Sequence, residues 1–258
     1  MSKPVCETMN STHVPEIELT ADGSPTLRHA LLGETYHSVR GALGESRHVY
    51  IEAGLCYVMN QRRQSVNSDI TTAGVSLLSE GGETGAIGGA KVSPLRIFEM
   101  GFGSGLNGWL TFQEAERTAC PVEYVTIEQY PVDRKTILQL DYAADPQFVA
   151  MHQAPWNLEV RLTQYFTLKK VAGSLLDYRF DTPFDLIYFD AFAPDCQPEL
   201  WTQELFARLY GALQPGGVLV TYSAKGVVKE NLRAAGFIVH RLPGALGKHH
   251  MLRAEKPM

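Results

Sequence analysis

From residue 95 onward, short apolar runs alternate with longer amphipathic stretches along the chain. Apolar runs of this length, bounded by glycine, proline or polar residues, are typical of buried strands, and the amphipathic stretches are typical of surface helices. The pattern predicts strands at 95–100, 122–128, 184–190, 216–223, 237–242 and 249–255, a β segment or hairpin at 158–172, and helices at 105–117, 131–142, 145–154, 198–213 and 227–235. Strands that alternate with helices predict a mostly parallel sheet with helices on both faces.

The last two predicted strands differ from the others because only a short, turn-rich segment, 243–248, joins them. A connection of this length is too short for a parallel crossover, so the two strands must pair antiparallel. We therefore predict an α/β fold with a Rossmann-like, mostly parallel sheet of seven strands that ends in a C-terminal antiparallel hairpin.

The first 94 residues lack this regular alternation. The expected division is a flexible leader at 1–25, a small N-terminal β/α extension at 26–94, and the core at 95–258, all in one structural domain. Within the extension, the pattern predicts strands at 26–32 and 48–52 and a helix near 54–64. The glycine-rich stretch 81–94 is interpreted as a flexible loop, because no strand precedes it and no Lys-Ser or Lys-Thr pair completes a phosphate-binding motif.

Length and composition place the chain among globular proteins, since it has 258 residues, of which 45% are hydrophobic. No apolar run approaches the ~20 residues that span a bilayer, and the N-terminus lacks an apolar signal-peptide stretch. We therefore expect a soluble cytoplasmic protein without membrane contact. The four cysteines are not in CxxC spacing, and no histidine lies at a ligand-like offset from them, which argues against a metal site and a disulfide framework.

Charge is distributed unevenly along the chain. The net charge is −5, but residues 222–258 contain seven Lys or Arg and only two acidic residues, so this segment carries +5 and the remainder −10. A basic end on an acidic body can face a polyanion such as a nucleic acid. A solvated surface explains the same counts, so charge alone does not select a nucleic-acid partner.

A glycine-rich turn follows the first strand of the core. Glu99, Gly101, Gly103 and Gly105 form the pattern Glu-x-Gly-x-Gly-x-Gly at the carboxyl end of that strand, where open α/β sheets bind their ligands. Glycine is needed there because a ligand approaches the backbone closely. Two ligands remain open, because this pattern is typical of S-adenosylmethionine sites, whereas the glycines at 103, 105 and 108 also fit the dinucleotide motif GxGxxG.

An acidic residue, Glu128, ends the second strand of the core. A carboxylate at this position can accept hydrogen bonds from both hydroxyls of a ribose, whichever nucleoside is bound. We expect the neighbouring Gln129 to contact the same ligand. Three features favour methyl transfer over hydride transfer: Glu99 before the glycine loop, the C-terminal hairpin, which belongs to class I methyltransferases and not to dehydrogenases, and the acidic and aromatic segment 190–194.

The segment after the fourth parallel strand, from Asp190 to Pro194, carries the expected chemistry. With an amine as acceptor, Asp190 can hold the N–H groups, orient the lone pair and take the departing proton. Phe192 and Pro194 can form a face on which a planar base stacks. Tyr222 and Lys225, which follow the fifth strand, either reach the substrate or its phosphate or are simply solvated.

Four segments of the chain resemble the methyltransferase domain of the MnmC family, which modifies the wobble uridine of tRNA. They are 41–50 (GALGESRHVY), 99–107 (EMGFGSGLN), 189–201 (FDAFAP through QPELW), and 221–226 (TYSAKG) with the tail 242–251. Together they span about residues 34–256. The resemblance implies the class I fold, S-adenosylmethionine as cofactor, and methyl transfer to the aminomethyl nitrogen of 5-aminomethyl-2-thiouridine in tRNA.

The resemblance also implies roles for individual residues. The cofactor-binding positions of the family correspond here to Glu99, Gly101, Gly103, Gly105, Asn107 and Glu128. Asp190 matches the acidic residue beside the acceptor. Ser174 stands where the family's Gly-Asp pair reads the adenine, and its hydroxyl can still hydrogen-bond the adenine amine. Lys248 lies in the tail segment that we expect to contact the substrate.

Double-domain members of the family add a flavin-dependent oxidoreductase domain that makes the amine. We expect this chain to lack that domain and to depend on a separate enzyme for the aminomethyl group. Three alternatives to tRNA methylation remain. The net charge of −5 favours a methyltransferase of a small-molecule amine, the GxGxxG match favours an NAD-dependent dehydrogenase, and the fold alone is compatible with a non-catalytic binding protein.

Overall fold

The computed structural model describes residues 15–30, 32–65 and 93–258. Its strands are β1 (Glu16–Leu19), β2 (Pro25–Arg28), β3 (Leu95–Met100), β4 (Val122–Glu128), β5 (Glu159–Arg161), β6 (Phe166–Ala172), β7 (Phe184–Phe189), β8 (Leu213–Thr221), β9 (Ile238–Pro243) and β10 (His250–Glu255). Its helices are α1 (Ala42–Ser46, continuing as a π-helix over Arg47–Cys56 and as an α-helix over 57–65), α2 (Leu106–Thr118), α3 (Arg134–Ile137), α4 (Pro146–Gln153), α5 (Gln203–Ala212) and α6 (Gly226–Ala234), with 3₁₀ turns at Asp141–Ala144 and Pro198–Leu200.

The strands from β3 onward form one sheet in the order β5-β6-β4-β3-β7-β8-β10-β9. The five strands from β6 to β8 in this order are parallel, whereas β10 pairs antiparallel with β8, and β9 with β10. This confirms the Rossmann-like, mostly parallel sheet with a C-terminal antiparallel hairpin. The described residues place eight strands in the sheet and not the predicted seven, because β5 adds a short edge strand antiparallel to β6.

The core has two layers, one on each face of the sheet. Ile97 of β3 lies in the layer that α1 and α2 cover, and its neighbour Phe98 lies in the layer that α5 and α6 cover. All six residues of β7 are buried. Strands that are covered on both faces need apolar side chains at consecutive positions, and this explains the continuous apolar runs of the sequence.

The predicted strand at 48–52 is wrong, because these residues belong to α1. Val49 and Tyr50 are both buried, and the next buried pair, Gly54 and Leu55, follows five residues later. Two adjacent buried residues at this repeat suit the wider turn of a π-helix, whereas a strand alternates buried and exposed positions. A Cβ on Gly54 would lie 3.0 Å from the side chain of Val220, so glycine lets the helix approach the sheet closely.

The N-terminal region also differs from the expected division. Residues 16–19, expected to lie in a flexible leader, form β1, which pairs antiparallel with β2. The strand predicted at 26–32 is shorter and shifted, at Pro25–Arg28. Residues 1–14 and 66–92, which include most of the predicted glycine-rich loop, lie outside the described residues. The division into extension and core stays a prediction.

Two predicted helices are shorter in the structure, and a side chain caps the start of each α-helical part. The helix expected at 131–142 is the short α3, capped by Asp133, followed by the 3₁₀ turn before α4. The helix expected from Pro198 begins there only as a 3₁₀ turn, and the hydroxyl of Thr202 then accepts the N–H of Leu205 to start α5. Side chains that accept backbone N–H groups favour helix starts, and this shortens each helix.

Candidate functional site

The turn between β3 and α2 can be built only with glycine. Gly101, Gly103 and Gly105 have φ angles of +88°, +51° and +78°, in the left-handed region that other residues rarely adopt. A Cβ on Gly101 would lie 2.8 Å from the carbonyl oxygen of Asp190, and one on Gly103 would lie 2.8 Å from the ring of Tyr36. The glycines therefore let two other segments of the chain close around this loop.

Glu128, at the end of β4, ties the glycine loop to the neighbouring strand. One carboxylate oxygen accepts the N–H of Gly103 at 3.0 Å, and the other accepts the N–H of Tyr130 at 2.9 Å. Burial raises the pKa of Glu128, and these backbone donors oppose the effect. Each oxygen keeps a second lone pair, so the carboxylate can also accept the hydroxyls of a ribose.

Glu99 is fully buried beneath the loop and has no hydrogen-bond partner of its own. Tyr124, Thr126 and Asn107 surround its carboxyl group, but neither oxygen makes a hydrogen bond of normal geometry with them. Burial raises the pKa of Glu99 to about 8. A buried polar group without a partner is costly, so this carboxyl suits a ligand that brings an amine to it.

Asp190, directly after β7, lies beside the loop in a fixed orientation. Its Oδ2 accepts a hydrogen bond from Nδ2 of Asn107 at 2.8 Å, and its N–H donates to the carbonyl of Met100 at 3.2 Å. Burial raises its pKa to about 7, and the charge of Glu45 adds to the increase, whereas Tyr50, Asn107 and Lys248 oppose it. A carboxyl with this pKa exchanges a proton easily near neutral pH.

Glu128 and Asp190 border a cavity of about 990 Å³, whereas Glu99, Asn107 and the loop glycines lie behind its wall and are not among the lining residues. One wall follows the carboxyl ends of the strands and includes Glu128 and Asp190. Residues 33–40 form the opposite wall, which we call the strap, and residues 247–250 close a third side. The sequence gives no local sign of the strap, because this stretch contains no motif and only the tertiary fold brings it to the strand ends; Glu45 lies in the resembling segment 41–50, but nothing in that segment indicates its role.

The predicted stacking face is built differently from the expectation. Phe192 lines the cavity, with its ring at 5.2 Å from Tyr36 and 5.4 Å from His29 in edge-to-face contacts. Pro194 is buried and is not among the lining residues. The aromatic partner that the structure gives to Phe192 is therefore Tyr36 of the strap.

Tyr222, Lys225 and Lys248 all line the cavity, and each has a partner within the protein. The hydroxyl of Tyr222 donates to the carbonyl of Ala191 at 2.9 Å. Lys225 pairs with Asp195 at the exposed rim, and Lys248 pairs with Glu45. The two lysines predicted to contact substrate are thus held by acidic residues of the chain itself.

Gln129 and Ser174 lie at the outer side of Glu128. Gln129 is exposed, and its amide donates to the hydroxyl of Tyr130 at 3.1 Å. The hydroxyl of Ser174 accepts the N–H of Leu176 at 3.2 Å, and the preceding N–H, of residue 173, donates to the carbonyl of Glu128. Both lie next to the expected ribose position but do not border the cavity, and their cofactor roles stay predictions.

The described residues contain neither a metal-binding cluster nor a membrane-spanning helix. No group of three or more His, Cys, Asp or Glu side chains in that part of the chain could hold a metal ion. None of the helices in the same residues combines the length and the apolar character that crossing a membrane requires.

Comparisons with known proteins agree with the geometry. A family model described as S-adenosyl-L-methionine-dependent methyltransferase matches residues 133–257. The bifunctional protein MnmC of Pseudomonas savastanoi pv. phaseolicola, named for tRNA 5-methylaminomethyl-2-thiouridine biosynthesis, is 30% identical over 95% of this chain and 35% of its own length. MnmC of Pseudomonas fluorescens is 29% identical over 94% of the chain and 35% of its length. The chain therefore spans about a third of the length of these relatives.

The fold has a counterpart among solved structures. The crystal structure of MNMC2 from Aquifex aeolicus superposes with a TM-score of 0.67 and 22% identity, over 96% of this chain and 74% of that one. S-adenosylmethionine fits the residues present, because the unpartnered Glu99 suits its amine and Glu128 its ribose. The methyltransferase assignment also excludes the nicotinamide interpretation of the glycine loop. In enzyme type the chain is an S-adenosyl-L-methionine-dependent methyltransferase, and it is similar to MnmC proteins over 94–95% of its length.

Proposed function

We propose that the chain is an N-methyltransferase that methylates the aminomethyl group of 5-aminomethyl-2-thiouridine at the wobble position of tRNA. The observation that carries the proposal is the carboxyl of Asp190, which borders the cavity beside the glycine loop with a pKa raised to about 7. The relatives add support, since they are named for tRNA 5-methylaminomethyl-2-thiouridine biosynthesis.

Asp190 is the catalytic residue of this proposal. When bound, the cofactor supplies an electrophilic methyl group on a sulfonium. Asp190 holds the N–H groups of the acceptor and directs the nitrogen lone pair along the carbon–sulfur bond. The Asp190 carboxylate would take the proton that the acceptor nitrogen loses on methylation and pass it to solvent. Asn107 keeps the carboxylate oriented through its hydrogen bond of 2.8 Å.

The cofactor would be held along the carboxyl ends of β3 and β4. Glu99 receives the amine of its methionine part, and the backbone at Gly101, Gly103 and Gly105 allows it to approach closely. Glu128 accepts the ribose hydroxyls. We place Gln129 and Ser174 on the adenosine side, because both lie beside the end of β4.

The acceptor base would enter the cavity beside Phe192 and the strap. Stacking on an aromatic ring contributes about 1–3 kcal/mol per base, and Tyr36 offers a second ring at 5.2 Å from Phe192. Tyr222, Lys225 and Lys248 border the same opening. We propose a cytoplasmic location, and an oxidoreductase activity outside these 258 residues that supplies the free amine.

The test is transfer of a tritiated methyl group from S-adenosylmethionine to tRNA from cells that lack this methylation step, followed by nucleoside analysis. We expect the label in 5-methylaminomethyl-2-thiouridine. Asp190→Asn should retain the wild-type Kd for S-adenosylhomocysteine and lose turnover. An unlabelled tRNA pool, or near-normal turnover by Asp190→Asn, would show that the proposal is wrong.

A second candidate is methylation of a small-molecule amine. It is favoured by the ion pairs of Lys225 with Asp195 and of Lys248 with Glu45, which neutralise two of the cations at the opening. A protein that binds tRNA through phosphates loses affinity steeply as salt increases. Titration of tRNA binding between about 50 and 200 mM salt therefore separates the candidates, because a small-amine enzyme should show no such dependence.

A further inference from the structure

Glu45 and Lys248 form an ion pair inside the cavity that the proposed mechanism does not use. Nζ of Lys248 pairs with one carboxylate oxygen of Glu45, and the other oxygen accepts the N–H of Ser38 at 2.8 Å. Glu45 is only 5% exposed. A carboxylate buried this deeply is held in a fixed position by its two partners, and it depends on the lysine to balance its charge.

The pair reaches the wall on which Asp190 lies. Nζ of Lys248 is 5.0 Å from the centroid of the Tyr222 ring, and the Tyr222 hydroxyl donates to the carbonyl of Ala191, the residue after Asp190. Glu45, Lys248, Tyr222 and Asp190 line the same cavity. The ion pair thus places one negative and one positive charge in the same cavity as Asp190.

We propose that Glu45 and Lys248 are positioning residues that hold a balanced pair of charges beside Asp190 and so set its affinity for the acceptor's proton. The inference rests on the proposed function, in which Asp190 receives that proton. It also gives Lys248 a different role from substrate contact, because its ammonium is fixed by Glu45.

Other groups around Asp190 do not replace this pair. The titratable side chains that face Asp190 are Glu45 and Tyr50 of α1, Glu99 of β3, Tyr124 of β4, Tyr222 of β8 and Lys248 of the β9–β10 connection. Burial raises the pKa of all three tyrosines, so they stay neutral near pH 7. Within this described set Lys248 is the cation, and its charge opposes those of the carboxyl groups.

The opposite charges of the pair predict opposite effects. Burial is the main cause of the raised pKa of Asp190; the charge of Glu45 raises it further, and that of Lys248 lowers it. Glu45→Gln leaves Lys248 unopposed, so Asp190 should lose its proton at lower pH. Lys248→Met leaves the charge of Glu45 unopposed, so Asp190 should keep its proton to higher pH.

The test is the pH dependence of kcat/KM for tRNA methylation by the full chain. We expect the acid limb to move down by about one pH unit in Glu45→Gln and up by about one pH unit in Lys248→Met. The double variant removes both charges and should return the limb close to its wild-type position. A merely structural pair would lower activity without moving the limb in opposite directions.

Lys225→Met is the matched control. Lys225 lines the same cavity in an ion pair, but its partner Asp195 is 82% exposed at the rim. Whatever happens to KM, this variant should leave the acid limb in place. The proposal is wrong if the acid limb of kcat/KM moves in the same direction in Glu45→Gln and Lys248→Met, or does not move in either variant. If Lys248→Met does not fold because Glu45 is left unpaired, Glu45→Gln and the double variant carry the test.

A second measurement separates this inference from the proposed function. The Asp190 carboxyl is titrated by ¹³C NMR in the absence of tRNA, and Asp190→Asn assigns its resonance. If the wild-type protein does not methylate tRNA, the proposed function is wrong, while opposite displacements of the Asp190 titration in the two variants still support the pair. If tRNA is methylated and no opposite displacements occur, only the pair proposal fails.

Discussion

Asn107 donates a hydrogen bond from its Nδ2 to Oδ2 of Asp190 at 2.8 Å. The bond joins the first turn of α2, directly behind the glycine loop, to the loop that follows β7. The segment expected to bind the cofactor therefore fixes the orientation of the expected base. The hydrogen bond between Asn107 and Asp190 therefore links the expected cofactor site to the residue that is proposed to act on the acceptor.

Asn107→Ala should reduce kcat for tRNA methylation by about tenfold or more. The substitution removes a donor that lowers the pKa of Asp190, so the acid limb of kcat/KM should also move to higher pH. The Kd for S-adenosylhomocysteine, measured by calorimetry, tells whether the cofactor contact is lost as well. An unchanged limb would show that the hydrogen bond does not affect the base.

Tyr36→Ala should weaken binding of S-adenosylhomocysteine by about tenfold, equivalent to about 1.4 kcal/mol. The ring packs directly against Gly103 and borders the cavity, so its removal opens the space above the loop. Tyr36→Phe keeps the ring and should bind within about twofold of wild type. Tyr130→Ala is the control, since that side chain is 51% exposed; equal losses in Tyr36→Ala and Tyr130→Ala would contradict the assignment.

Gly103→Ala should lower both the free energy of unfolding and the affinity for the cofactor. Alanine at φ +51° is strained, and its Cβ would lie 2.8 Å from the Tyr36 ring, so a loss of about 1 kcal/mol or more is expected. Gly211→Ala provides a control of opposite sign, because this exposed position within α5 has open space around it and alanine favours helix. Urea denaturation measures both; a stable Gly103→Ala protein with normal affinity would rule out the close approach.

The contribution of Glu99 to the free energy of unfolding should fall as the pH rises from 6.5 to 8. Burial raises the pKa of Glu99 to about 8, so the folded protein retains a proton that the unfolded chain loses near pH 4.3, and the slope is at most about 1.4 kcal/mol per pH unit per group. Burial lowers the pKa of His37 and His152, so both are neutral in the folded protein; the unfolded chain releases their protons near pH 6.5, and this gives a slope of opposite sign that fades above about pH 7.5. Glu99→Gln should flatten the slope in urea titrations at several pH values. If the slope in Glu99→Gln equals that of the wild-type protein, the retained proton is not on Glu99.

Local signals in the sequence were sufficient to predict which residues lie at the carboxyl ends of the strands. Glu99, the glycines of the loop and Asp190 each lie where an apolar strand stops, and the carboxyl ends of parallel strands meet at one edge of the sheet. Their juxtaposition follows from the topology that the alternation predicts. The structure places Asp190 beside the loop, with Gly101 against its carbonyl.

The pattern of apolar and polar residues could not predict contacts between distant parts of the chain. Tyr36 meets Gly103 across 67 residues of sequence, and Glu45 meets Lys248 across 203, and no local periodicity records such pairs. For the same reason the sequence suggested substrate contacts for Lys225 and Lys248 and gave no sign of their acidic partners. The strand predicted at 48–52 failed because β-branched and aromatic residues favour strands locally, while burial against the sheet imposed a helix.

The π-helical stretch Arg47–Cys56 has a consequence for insertions and deletions in this helix. Removing one residue there would rotate everything behind it by roughly a quarter of a turn relative to Tyr50. Gly54 would leave its place over Val220, and a bulkier neighbour would be driven into the strand. Insertions and deletions in related chains should therefore lie before residue 42 or after residue 65, because changes there preserve the spacing between Tyr50 and Gly54.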